Sequence, residues 1–446
     1  MNTRLVCLAL CLLLPGCAAY QALPLEGGAP AHSLRLQVDA ATLPFGVLAA
    51  HRFDPADGLD QTEVAMLAVA NNPELRLERD GAAIAHAQAF AAGLLPDPQL
   101  SLSGDLHAGA GASAARAVGV DLDLSALLLH ASTRAAAEGE AAKADLGLLW
   151  QEWQVASQAR LLHVRQTQGE VLLTLMRQNE ALQRERCRRT DQALARALVT
   201  SDVALAAQAT LQDAQRQRFE QERALADNLA DLHDLLGLQH AVALTLVAPE
   251  PVLAVDDGAA VQAALAQLAH RRPDLRALAA GYAAQDQRYR GAVLAQFPAL
   301  NVGLTRARDN GSVLTASVGI TLSLPFLNRN RGNLAIELAS RQKLYDEYQV
   351  RLQAAANQVE RVQAARALNL RQLGEIDATL PALAAAERNA ASALAAGVGD
   401  VQAQANAHAA WLAKRIERVQ QGQLLMEQAI ALDTLLGIGA SESEGK

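Results

Sequence analysis

The residues whose types and spacing invite chemistry are few: four cysteines, ten histidines and a set of carboxylates on alternating positions around Asp121 and Asp123. Cys17 closes Leu14-Pro15-Gly16-Cys17, which follows one positive charge at Arg4 and an unbroken apolar run from Leu5 to Leu14. That pattern is a secretory signal, with an apolar stretch too short to cross a bilayer as a mature helix. Its end resembles a bacterial lipobox, with Pro15 where Ala, Ser or Thr is usual. The chemistry expected at Cys17 is therefore acylation after cleavage in front of it, and Ala18 behind it favours sorting to the outer membrane. Loss of residues 1–16 removes Cys7 and Cys11, leaving Cys187, which reads as an inert thiol on a helix surface. No intramolecular disulfide follows, even in an oxidising compartment. His233 and His240 lie seven apart without acids in ligand register, so no metal site is expected. No Walker loop, HExxH, CxxC or G-x-S-x-G is present. The chain is read as a non-enzyme without a cofactor.

The carboxylates belong to a strand pattern. After Pro98, Leu100, Leu102 and Leu106 alternate with Gln99, Ser101, Ser103 and Asp105, and Val118, Val120, Leu122 and Leu124 alternate with Asp121, Asp123 and Ser125. Leu300, Val302 and Leu304 oppose Asn301, Gly303 and Thr305, and Leu314 to Leu324 alternates with Thr315, Ser317, Gly319, Thr321 and Ser323. Period-2 patterning around Gly109/Gly111 and Asn310-Gly311 predicts two hairpins, 98–125 and 298–324, with strands of about ten residues, long enough to span a membrane when tilted. Asp105, Asp121, Asp123, Asn301, Thr305 and Thr321 then share the polar face as candidate pore-lining residues. Simple solvation accounts for the aspartates as well as a cation-attracting ring does.

The elements that carry these residues are written twice. Pro73-Glu74-Leu75-Arg76 recurs as Pro273-Asp274-Leu275-Arg276, an offset of 273 − 73 = 200, and Leu235-Leu236-Gly237-Leu238 recurs as Leu435-Leu436-Gly437-Ile438 at the same offset. A repeat of that length is one architecture duplicated, although 446 residues would otherwise suggest about three domains. Its expected parts are a signal peptide at 1–16, a lipidated segment at 17–60, a first repeat at 61–237, a linker at 238–257, a second repeat at 258–437 and a tail at 438–446.

Between the hairpins the chain is helical and nearly free of proline: none falls between Pro98 and Pro249, and Pro381 stands alone after Pro325. Leu161, Val164, Val171, Leu175 and Leu182, then Leu225, Leu229, Leu232 and Leu236, read as coiled-coil seams. The helices break at Thr200-Ser201-Asp202 and Gly397-Val398-Gly399-Asp400, with Asp202 and Asp400 as candidate caps of the returning helices.

Composition sets the limits. Hydrophobic residues make up 51%, charged residues 19% and aromatics 3%, which excludes intrinsic disorder. A net charge of −8 argues against a nucleic-acid partner. Four strands cannot close a barrel, and open edges in hydrocarbon would leave backbone N–H and C=O groups unpaired. Closure therefore needs several copies, and three give 12 strands. The expected fold is mostly α with a β-barrel portion: a long helical barrel continuous with a membrane barrel completed by oligomerisation.

Pro96-Asp97-Pro98-Gln99-Leu100, Leu324-Pro325-Phe326-Leu327-Asn328-Arg329-Asn330-Arg331-Gly332 and Ala396-Gly397-Val398-Gly399-Asp400-Val401, with the repeat and the lipobox, resemble the TolC/OprM outer membrane efflux factors. The second segment resembles the CzcC-like heavy-metal branch. The resemblance runs from about Asp60 to Gly437. It implies a homotrimer in outer-membrane lipid that docks a periplasmic adaptor and a proton-driven inner-membrane pump, and passively exports metal cations or drugs. A protein-secretion channel, or a periplasmic coiled-coil adaptor without a pore, are the other readings. In the channel readings Asp202 and Asp400 ring the periplasmic aperture, and Thr200, Ser201, Val203, Gly397, Val398, Gly399 and Val401 offer the adaptor a docking surface.

Overall fold

The computed structural model describes residues 20–25, 36–39, 43–105, 114–249, 258–311, 313–325 and 327–439. Cys17, the Gly109/Gly111 turn and most of the tail lie outside them. The chain divides into two units, Met1–Ser33 and Leu34–Lys446. The described part of the first is irregular.

Among the described residues, the second unit holds every regular element. In order these are α1 (Gly46–Ala49), α2 (Gln61–Asn71), α3 (Pro73–Ala92), β1 (Gln99–Asp105), β2 (Ala115–Asp123), α4 (Leu124–Ala195), α5 (Ser201–Leu235), α6 (Gly258–Ala266), α7 (Leu268–Arg271), α8 (Pro273–Leu294), β3 (Ala299–Arg308), β4 (Leu314–Ser323), α9 (Arg331–Ala395) and α10 (Val401–Leu436). At about 1.5 Å per residue, the 72 residues of α4 run roughly 108 Å. Among the described residues no helix is apolar enough to cross a membrane.

The repeated motifs are start and stop signals. Pro73 and Pro273 occupy first helical positions, where a missing N–H costs nothing. Gly237 and Gly437 end α5 and α10 at φ 61° and 64°, a left-handed turn that glycine adopts without strain. A Cβ at Gly237 would lie 2.6 Å from the Asn71 carbonyl oxygen, so the turn also needs the missing side chain. In both copies the next residue folds back, Leu238 N–H onto the His233 carbonyl (2.9 Å) and Ile438 N–H onto Asp433 (3.0 Å).

The strands form one antiparallel sheet in the order β1-β2-β3-β4. The sheet meets the helices through β3 on α4; among the helices α4 packs against α3, α5, α8 and α10, and α9 packs against α8 and α10. Small residues permit close approach: a Cβ on Gly139 of α4 would stand 2.9 Å from that of Ala284 on α8.

The apolar core sits where α2 crosses α4. Leu59, Val64, Leu67, Ala68, Ala159, Leu162, Leu232, Leu236 and Leu238 form one cluster, and Phe45, Met66 and Trp153 anchor a second. The Phe45 and Trp153 ring centroids are 5.0 Å apart. Thus the end of the 17–60 segment and the start of the linker contribute to the core. Leu59 N–H donates to Thr245, and Val247 N–H donates to Leu59. Asp60 caps α2 in a reciprocal box with Glu63.

Two sequence expectations change here. Leu225, Leu232 and Leu236 are buried, as are Val164 and Leu175 on α4, but there Val171 is exposed and Leu161 and Leu182 are half-buried. The buried line on α4 runs through Leu162, Gln166, Gly169, Leu173, Glu180, Gln183 and Cys187. Its polar members are satisfied by neighbours, as where Arg218 meets Glu180 at 2.6 Å. Cys187 is thus buried rather than on the surface, and burial, with the Asp191 carboxylate beside it, pushes its thiol pKa up. The thiolate needed for reactivity is suppressed.

His163 lies fully buried in the same region, its Nε2–H donating to the Leu59 carbonyl (3.2 Å). Burial lowers its pKa despite that bond and the nearby Asp60 charge. The unfolded chain therefore binds the proton more readily, and stability falls as pH drops from about 6.5 through the lowered folded value. The melting temperature should decrease between pH 7.5 and pH 5.5, and His163→Gln should flatten that slope. An unchanged slope in the variant would place the dependence elsewhere.

Candidate functional site

The sheet carries its charges on separate faces. The register places Leu100, Leu102, Val118, Val120, Leu122, Val302, Leu304, Val318, Ile320 and Leu322 on one face and Gln99, Ser101, Asp121, Asn301, Thr305, Ser317 and Thr321 on the other. Leu102 is 72% exposed and Ile320 68%, so this apolar face is uncovered in a single chain. A contiguous patch of this kind marks an interaction with apolar surroundings. All three strand arginines, Arg116, Arg306 and Arg308, fall on the apolar face at its hairpin-turn end, and all three strand aspartates fall on the polar face. Arginine on a lipid-facing strand costs about 2–4 kcal/mol at mid-bilayer and about 0–1 near the interface. No arginine lies in the middle rows of that face.

Two glycines shape the polar face. A Cβ at Gly303 would stand 2.2 Å from Asp121 Oδ1, and one at Gly119 would stand 2.5 Å from Ser101 Oγ. The carboxylate of Asp121 lies across the first gap and is exposed. Asp123 is placed differently from a free pore carboxylate. It caps α4, accepting from the N–H groups of Ser125 (2.9 Å) and Ala126 (3.0 Å). Asp105 shares the polar face by register, opposite Ala115. Asn301 pairs with Thr321, and Thr305 with Gly119 and Ser317.

At the far end of the helices, the structure brings the two turns to one cleft of about 690 Å³. It is lined by Val199, Val203, Asp400 and Val401 from the turns and by Glu185, Arg186, Arg189 and Thr190 from α4. The cap assignment at the first turn is corrected. The N-cap of α5 is Thr200, and Asp202 lies in the first helical turn, where its carboxylate favours the helix dipole. A hydrogen bond from Thr200, with backbone N–H groups, holds the Asp202 carboxyl below its usual pKa. Asp400 is a true cap, accepting from Gln402 N–H at 2.9 Å.

The cleft is not purely acidic, because Arg186 and Arg189 share it with Asp400. Hydrogen bonds from Arg188 and Arg189 lower Glu185 to about 2. The sequence reading missed these arginines, and also Leu198 (72% exposed) and Leu205 (66%), which add to the apolar surface of Val203, Val398 and Val401. An exposed leucine beside a helix break was the available signal for both. Gly397 has φ 76°, a left-handed conformation, and a Cβ at Gly399 would lie 2.4 Å from the Leu394 amide nitrogen.

His233 and His240 do meet, edge to face at 5.6 Å, with Asp234 3.5 Å from His240. Both ring nitrogens of His233 face carbonyl oxygens, of Leu229 (2.7 Å) and Val242 (2.8 Å), which leaves neither free to ligate. Among the described residues no group of three or more His, Cys, Asp or Glu could hold a metal ion.

No family model and no curated protein matches the sequence. Solved structures do match. The outer membrane channel CmeC of Campylobacter jejuni is 15% identical, with a TM-score of 0.71 over 96% of this chain and 96% of that one. The outer-membrane channel OprN is 17% identical, with a TM-score of 0.72 over 91% and 96%. The open state of the Neisseria gonorrhoeae MtrE outer membrane channel is 15% identical, with a TM-score of 0.67 over 86% and 90%. The chain has the fold of these TolC/OprM-type channels, a long helical barrel with a β-barrel portion.

Proposed function

We propose that this chain is the outer-membrane exit channel of a tripartite export system, a passive trimeric conduit for small solutes. The observation that carries the reading is the four-stranded sheet, apolar on one face and acid- and hydroxyl-lined on the other, with two unpaired edges. Edges cannot stay open in hydrocarbon. Three copies supply 3 × 4 = 12 strands and close them, with the apolar face toward lipid. Asp121, Asn301, Thr305, Thr321 and, by register, Asp105 then face the lumen. Asp123 joins them at the strand-to-helix corner with its carboxylate engaged in capping. Strand carboxylates without strand cations on that face support a preference for cations, metal cations among them. The lipid on Cys17 anchors the mature chain, and the mass of the mature N-terminus tests that point.

The helical tip is the periplasmic mouth. Six turns, two per copy, converge there with Asp202 and Asp400. The surface of Thr200, Ser201, Val203, Gly397, Val398, Gly399 and Val401 receives the adaptor, which links the channel to a proton-driven inner-membrane pump. The secreted-protein alternative shares this architecture and differs in cargo. The planar-bilayer conductance of the purified protein tests the reading. Asp202→Ala with Asp400→Ala should change conductance or reduce cation selectivity severalfold. If the double variant conducts and selects like the wild type, these carboxylates serve their helices only and the constriction lies elsewhere.

A further inference from the structure

We propose that α3 of each copy packs along α9 of the next, in the register that the chain already uses between α4 and α8. The inference rests on the trimeric reading above and names the helix faces and side chains through which one copy meets another.

The helices stand in the order of the strands. α3 leads into β1, β2 into α4, α8 into β3 and β4 into α9. The sheet runs β1-β2-β3-β4, and the packing runs α3 on α4, α4 on α8 and α8 on α9. α3 and α9 are therefore the outer helices of the row, as β1 and β4 are the outer strands. Both leave apolar side chains uncovered: Leu77 (70% exposed) and Ile84 on α3, and Ile336 (63%), Leu338 and Tyr345 on α9. Exposed apolar faces of this kind mark interaction surfaces. Each continues directly from a sheet edge that a second copy closes, so the same copy meets both.

The repeat supplies the register. At its offset of 200 residues α4 corresponds to α9 and α8 to α3. The joint of α4 with α8 inside a copy is thus the counterpart of a joint of α9 with α3 between copies. Inside the copy the Lys143 stem lies along Gly281, where a Cβ would stand 3.0 Å from Lys143 Cδ. The counterparts are again a lysine and a glycine, Lys343 and Gly81. Lys343 is exposed, and a Cβ on Gly81 would meet no neighbouring described atom within 4 Å. Next along the joint, a Cβ on Gly139 would stand 2.9 Å from that of Ala284. The counterparts there are Ala339 and Ile84, both exposed. Nearer the strands, Ser132 Oγ lies 3.1 Å from a Cβ built on Gly291. Gly332 and Ala91 correspond, and a Cβ on Gly332 would also meet open space. The two joints differ in width and charge. Ala339 and Ile84 are larger than Gly139 and Ala284, and interaxial distance follows the side chains at the contact, so the joint between copies is the wider. The Arg288–Glu140 ion pair (3.2 Å) is replaced by Gln88 and Ser340, which leaves apolar packing to hold the copies together.

The test is oxidative cross-linking of the full-length protein in native membranes, in a Cys187→Ala background. Ile84→Cys combined with Ala339→Cys should link copies into dimers and trimers, since disulfides form at Cβ separations of about 3.5–4.5 Å. Within one copy the two positions lie on the outer helices, three steps of about 8–10 Å apart, and cannot join. Ile84→Cys with Asp346→Cys, about 10 Å further along α9, should link several times less. Gly81→Leu should lower the heat-resistant trimer severalfold, although leucine favours a lone helix over glycine. Linking through Asp346→Cys in preference to Ala339→Cys, no link through either, or a Gly81→Leu trimer as heat-resistant as the wild type would each overturn the proposal. Native mass spectrometry of the protein without added cysteines reports separately on the channel reading. Trimers without the link from Ile84→Cys to Ala339→Cys would strike the helix joint alone, and a monomer would strike both.

Discussion

Leu304→Arg should abolish trimer in the outer membrane, whereas Thr305→Arg, one residue along, should leave it intact. Leu304 occupies a middle row of the apolar face, between Val120 and Val318. Thr305 lies on the opposite face between Gly119 and Ser317. A guanidinium at mid-bilayer costs about 2–4 kcal/mol, so three copies carry about 6–12 kcal/mol. That is comparable to the whole stability of an ordinary domain, about 5–15 kcal/mol. The same side chain at Thr305 enters the lumen and places three positive charges there. The expected readout is a heat-resistant trimer on gels for Thr305→Arg and none for Leu304→Arg, with reduced cation selectivity in the assembled variant. Equal tolerance of both would mean that the sheet faces are not divided between lipid and water.

Gly399→Val should eliminate export while leaving trimer formation unchanged. The tip turn folds Gly399 back on α9, with its N–H donating to the Ala393 carbonyl at 2.9 Å. A Cβ would meet the backbone nitrogen of Leu394 at 2.4 Å and the carbonyl carbon of Ala393 at 2.7 Å. Backbone at that distance cannot swing aside as a flexible side chain would, so the turn must re-form. The displacement carries Val398, Asp400 and Val401 with it, which are the residues proposed to meet the adaptor. The strands lie at the other end of α9 and should not register the change. Substrate accumulation in cells lacking the native channel, complemented with each variant, measures the effect. Full complementation by Gly399→Val would remove this turn from the docking surface.

The strands, the repeat and the tip turns were legible in the sequence because each rests on local rules. Alternation with period 2 needs no partner, and Pro273 and Gly437 mark their helix ends by backbone geometry alone. The seam of α4 is legible only at Val164 and Leu175, because the buried line also includes the polar Gln166, Glu180 and Gln183. Gln183 is satisfied within α4 by Asn179, whereas Glu180 and Gln166 also meet Arg218 and Asn228 of α5, which no spacing on α4 shows. Cys187 was placed on the surface for the same reason. Asp202 was read as a cap from its residue type, but the extended backbone of Thr200 (φ −89°, ψ 162°) makes Thr200 the boundary. Asp123 combines both patterns, strand alternation and helix capping, and the capping bonds show which one occupies its oxygens. The packing of Phe45 on Trp153 joins segments more than a hundred residues apart and left no local trace.

The central claim is closure of the sheet between copies, and disulfide trapping across the join tests it most directly. In a Cys187→Ala background, a cysteine at Ser101 of β1 would be combined in turn with cysteines at Thr315, Ser317, Gly319 and Thr321 of β4. These four positions share a face of β4. Within one chain β1 and β4 are the outer strands, separated by β2 and β3, at about 4.8 Å per strand step. A bond between them within a copy is out of reach. Oxidation in intact membranes should give a ladder of monomer, dimer and trimer that stops at three for at least one pair. Monomer alone for every pair, or a ladder running past three, would contradict a closed trimeric barrel.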